Sequence, residues 1–71
     1  MAAIAEYVFK YPAEEECLIR RLGSGVIAAW KQLPEESRDL ILKQAGVVWD
    51  REYNISRLPD RLEAIIRRGA R

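Results

Sequence analysis

Proline followed by acid occurs three times in this chain, as Tyr11-Pro12-Ala13-Glu14-Glu15, Leu33-Pro34-Glu35-Glu36 and Leu58-Pro59-Asp60. At the first helical position proline loses no useful N–H, and its fixed φ already suits a helix. Acids in the next turn favour the positive end of the helix dipole. Six and seven residues after each proline comes an apolar pair, Leu18/Ile19, Leu40/Ile41 and Ile65/Ile66, and then arginine or lysine. Each unit is thus capped, apolar in its middle and basic at its end. Strand signals are nearly absent, since no window alternates apolar and polar residues between turn residues. The expected fold is all-α: a compact bundle of four to five short helices forming one domain over 1–71.

The punctuation places five segments. The first spans about Ala2 to Lys10. The second, from Pro12 to Leu22, ends at Gly23 as a left-handed cap. Ser24 then caps a short third helix from Gly25 to Gln32. The fourth, from Pro34 to about Tyr53, is the longest and is expected to be the central element. Its stripe of Ile41, Leu42, Ala45, Val48, Trp49 and Tyr53 has the spacing of a buried face. Gly46 interrupts that stripe, at a cost of about 1 kcal/mol relative to alanine. The fifth runs from Pro59 to Arg68 and ends at Gly69. Leu18, Ile27, Ile41, Ala45, Val48, Leu62 and Ile65 are the expected core.

Residue types narrow the chemistry. The chain has no histidine and no threonine. That argues against His-ligated zinc, Ser-His-Asp and Cys-His systems and imidazole acid–base catalysis. Glu14, Glu15 and Glu16 are adjacent, so on a helix they point about 100° apart, as a first-turn acidic run does. Cys17 has no second cysteine and no histidine base, and reads as a packing thiol. No catalytic, metal or cofactor-binding residue is expected, and the chain is not expected to be an enzyme. A lone cysteine without a disulfide suits a reducing compartment. The longest uncharged stretch, Leu22 to Trp30, is under half of the ~20 residues a bilayer requires. A cytoplasmic protein without a membrane segment or a signal peptide is the expectation.

What remains is surface. A chain of this size buries only about 60% of the area it exposes when unfolded. It cannot enclose Trp30, Trp49, Tyr7, Tyr11 and Tyr53 together with its aliphatic residues. Leu40 and Val47 lie on a flank away from the main stripe. Trp30, Leu40, Val47, Trp49 and Tyr53 are therefore the candidate protein interface, since outward aromatics are common interface anchors. The expected function is non-catalytic protein–protein interaction, as a regulator, adaptor or inhibitor, with a homodimer as the simplest assembly. The alternative is nucleic-acid binding by Arg57, Arg61, Arg68 and Arg71 of the basic last helix. Residues 57–71 carry a net +3 and residues 1–16 a net −3, although the whole chain stands at only +1.

Val48-Trp49-Asp50 and Leu58-Pro59-Asp60-Arg61-Leu62, with Ile65 and Ile66 after them, resemble the anti-sigma factors of the bacterial general stress response. The likeness covers about a third of the chain. It implies a small helical protein that binds a sigma factor or its mimic.

Overall fold

The three Pro-acid signals lead into three helices. The structure, a computed structural model, describes residues 8–51 and 55–71. These residues are all-helical and include no strand, with α1 at Glu16–Ala28, α2 at Glu35–Ala45 and α3 at Leu58–Gly69. Single 3₁₀ turns at Ala13–Glu15 and Trp30–Gln32 flank α1. The prolines act from slightly different places than expected. Pro34 stands just outside α2, where its carbonyl accepts the Arg38 N–H at 3.0 Å. Pro59 is the second residue of α3 and follows Arg57, whose φ of 57° and ψ of 41° are left-handed. For a residue with a Cβ that conformation costs about 1–2 kcal/mol.

Three α-helices rather than four or five are present among the described residues, and the differences have identifiable causes. The expected segment Ala2 to Lys10 lies mostly outside the described residues, and 8–10 are not helical. The expected second and third helices are one. Gly23, Ser24 and Gly25 lie inside α1, and no described glycine has a positive φ. Leu18, Ile19, Leu22, Val26 and Ile27 continue one apolar arc across the glycines. Packing of its half-buried end, Val26 and Ile27, where α3 approaches, outweighs a helix-propensity cost of about 1 kcal/mol per glycine. The expected long helix over 34–53 stops at Ala45. The Gly46 N–H donates to the Leu42 and Lys43 carbonyls at 3.2 Å each, and the Val47 and Val48 N–H groups both reach the Gln44 carbonyl at 3.0 Å. Two β-branched valines directly after a glycine make continuation unfavourable. The longest helix is therefore α1, at 13 residues. It is also the central one, because α3 and both 3₁₀ turns pack against it.

At their C-terminal ends α1 and α3 approach closely. A Cβ built on Gly69 falls 2.7 Å from Ile27 Cγ2. The Arg71 N–H donates to the Ala28 carbonyl at 3.2 Å, tying the end of the chain to the end of α1. Gly69, where the fifth segment was expected to end, is the last residue of α3 and serves close approach.

The expected core is the largest correction. None of the described residues is buried. Ile27, Ile41, Ala45 and Leu62 are half-buried, whereas Leu18, Val48 and Ile65 are 61%, 49% and 40% exposed. α3 packs closely on α1, whereas α2 packs closely on neither, so the three helices do not close an interior.

Candidate interaction surface

The apolar side chains that fail to close over one another leave a groove. Ile19 and Leu22 of α1, Val48 and Trp49 after α2, and Leu58 and Leu62 of α3 line it. Phe9, Tyr11 and Ile55 complete its apolar wall, and its volume is about 720 Å³. Leu22 is 70% exposed at its edge.

One side of the groove is held by a cluster that joins three parts of the chain. Tyr11 meets Trp49 edge-on, with ring centroids 5.2 Å apart and planes at 81°. Phe9 lies against Tyr11 at 5.9 Å. The Arg51 guanidinium lies 5.5 Å from the Trp49 ring and 5.9 Å from the Tyr11 ring. It pairs through Nε with the Glu16 carboxylate and donates from Nη2 to the Tyr11 carbonyl at 2.8 Å. Edge-on aromatic pairs and guanidinium–ring contacts each contribute about 0.5–1.5 kcal/mol beyond simple burial. The cluster fixes the segment entering α1 against the segment leaving α2.

Of the five residues expected to form an interface, the four that the structure describes do not all line the groove. Trp49 lies in the groove. Leu40, at 54% exposed, and Val47 are surface residues outside its lining. Trp30 is half-buried in the 3₁₀ turn after α1, and Tyr53 lies outside the described residues. Sequence reasoning missed Phe9, Ile19, Leu22, Ile55 and Leu58 as surface. The i,i+4 pair Leu18/Leu22, already inside the expected second helix, was the available signal, passed over when Leu18 was assigned to the core.

Of the arginines, Arg61 and Arg68 line a second, shallower surface with Ile55, Leu58 and Ile65. Arg57 lies beside Arg61 but approaches Asp60 at 3.5 Å, a highly exposed pair of little energetic worth. Arg71 is anchored through its backbone to α1.

Cys17 is exposed beside Arg20, Arg21 and Ser24, and its thiol donates only a long contact of 3.8 Å to the Glu14 carbonyl. Cys17→Ala is expected to change stability by less than about 0.5 kcal/mol, as exposed substitutions do. A urea titration checks this, and a larger loss would reveal packing that the exposure does not show. No group of three or more potential metal ligands occurs among the described residues. Nor is any helix there long and apolar enough to cross a membrane.

No family model, curated protein or solved structure matches this chain. The likeness of residues 48–66 to anti-sigma factors rests on those residues alone.

Proposed function

We propose that this chain is a small non-catalytic protein that acts by protein–protein interaction, as a regulator, adaptor or inhibitor in a reducing, cytoplasmic setting. The groove carries the reading. It presents Phe9, Tyr11, Trp49 and several aliphatic side chains in one concavity, with no buried residue beneath them among those described. Aromatic residues held rigid in a concave apolar site are what binding hot spots are made of. An amphipathic helix presenting side chains at i, i+3 and i+4 is the natural complement of such a groove. An anti-sigma-like role is one form of this reading, with a sigma factor or its mimic as the partner.

Arg61 and Arg68 on one surface of α3 favour a second reading, contact with nucleic-acid phosphates. Site-specific photocrosslinking in the source cell separates the two. A benzophenone side chain at Phe9 is expected to give discrete protein adducts, and one at Lys31, outside the groove lining, none. Absence of protein adducts at Phe9, with retention on heparin that Arg61→Ala/Arg68→Ala abolishes, would replace interaction by nucleic-acid binding.

A further inference from the structure

Resting on that interaction reading, we infer that the groove receives an acidic amphipathic helix of another protein, whose carboxylates pair with Arg61 and Arg68 on the α3 rim. The groove and the arginines belong to one continuous surface. Ile55, Leu58 and Leu62 line the groove and also line the shallower surface that holds Arg61, Ile65 and Arg68. At about 100° per residue, the order around α3 is Leu62, Leu58, Ile65 and then the two arginines. The apolar wall therefore runs without a break into a cationic rim, and a helix lying in the groove along α3 meets both.

The rim is free to pair. Arg61 and Arg68 are exposed, and neither side chain has an ion-pair or hydrogen-bond partner among the described residues. Arg51, by contrast, is held by Glu16 and the Tyr11 carbonyl. The acids of α3 do not neutralise the rim. Asp60 lies against Arg57 at 3.5 Å, and Glu63 falls about 150° around the helix from the two arginines. Arg61 and Arg68 are seven residues apart, so they share one flank of α3 and stand about 10 Å apart along its axis. Carboxylates seven residues apart on a partner helix have the same spacing and the same shared flank, whichever way that helix runs. Guanidinium groups bind carboxylates through two parallel hydrogen bonds, which adds orientation to the attraction.

The neighbours of the arginines decide which anion fits. Ile55 and Ile65, 39% and 40% exposed, line the same surface, and Ile65 is one turn from each arginine. A nucleic-acid backbone is bound chiefly through its charge and would leave these isoleucines in water. A helix with an apolar stripe beside its acids covers both kinds of side chain. A lipid headgroup surface is broad and does not fill a concavity of about 720 Å³.

A displayed library of helices, selected against the full chain, tests the inference. Each member carries one aliphatic stripe, with Glu, Gln or Lys varied on its flanks. The expected result is enrichment of Glu over Lys by at least about tenfold at two positions seven residues apart, since like charges facing each other are strongly disfavoured. Against Arg61→Glu/Arg68→Glu the preference should reverse to Lys, a reversal that a merely structural role of the arginines does not give. Far-UV circular dichroism checks the fold of that variant. If it is lost, Arg61→Gln/Arg68→Gln takes its place and should erase the preference. A selected Glu-bearing helix, labelled and followed by fluorescence anisotropy, should not be displaced by a DNA duplex or by phosphatidylserine vesicles. Displacement by either at a lower concentration than the unlabelled helix requires overturns the inference, as does a Phe9 adduct composed of two copies of this chain. Enrichment of the aliphatic stripe with no preference among Glu, Gln and Lys, or a preference that the arginine variants leave unchanged, also overturns it and leaves the interaction reading standing. No enriched helix overturns it as well, and absence of any protein adduct at Phe9 would then remove both.

Discussion

Gly69→Val should destabilise the protein by about 2–3 kcal/mol, while Gly23→Ala should stabilise it by about 0.5–1 kcal/mol. Both glycines lie in helices and neither has a positive φ, so local conformation does not separate them. Their surroundings do. A Cβ at Gly69 meets Ile27 Cγ2 at 2.7 Å, and that methyl belongs to a β-branched side chain with little freedom to swing aside. Relief requires α3 to withdraw from α1 at their closest approach, which also strains the Arg71 bond to the Ala28 carbonyl. A Cβ at Gly23 meets nothing within 4 Å. Alanine there keeps the helix and reduces the conformational entropy of the unfolded chain. For a domain of this size each kcal/mol moves the melting temperature by about 4–8 °C. Thermal melts read at one fixed protein concentration should therefore shift in opposite directions. Equal shifts of the same sign would mean that α1 and α3 do not meet at Ile27.

Trp49→Ala should cost about 3 kcal/mol, the low end for tryptophan truncation because the ring is half-buried. It removes the edge-on partner of Tyr11, the face on which Arg51 rests and one wall of the groove. Arg51→Ala should cost about 1–2 kcal/mol, discounted because the side chain is 42% exposed. Arg51→Lys should recover only part of that loss. An ammonium lacks the planar fork that lets the guanidinium bond Glu16 and the Tyr11 carbonyl while lying near two rings. The double variant should fall short of the sum by about 0.5–1 kcal/mol, since both residues serve one cluster. Urea midpoints measure all three changes, with unchanged slopes indicating that the unfolded state is not the cause. Additive losses would show that Trp49 and Arg51 act independently. A Trp49→Ala midpoint equal to the parent's would show that the cluster does not hold the fold.

Much of the helical plan is legible in residues close together in sequence. Proline followed by acids identifies helix starts because it acts on groups within one turn, and the three starts are present. Extending the same local logic to helix ends failed at Gly23 and Gly25. A glycine ends a helix only where nothing beyond it rewards continuation, and here the apolar arc through Val26 and Ile27 does. At Gly46 the balance tips the other way, because two β-branched valines follow and Trp49 is held by Tyr11 and Arg51 instead of extending the α2 stripe. The candidate site was legible in Trp49 alone. Its remaining walls come from residues as distant in sequence as Phe9 and Leu62, and composition cannot say which apolar side chains will face a gap. The sequence by itself determined the helical class, where helices begin and which chemistries lack their residues, since these depend on side-chain type and on hydrogen bonds within a turn. Only the tertiary structure decided that α1 is continuous, that Gly69 serves close approach and that the apolar residues line an open groove. Each of these depends on distances between segments remote in the chain, where packing rather than propensity sets the free energy.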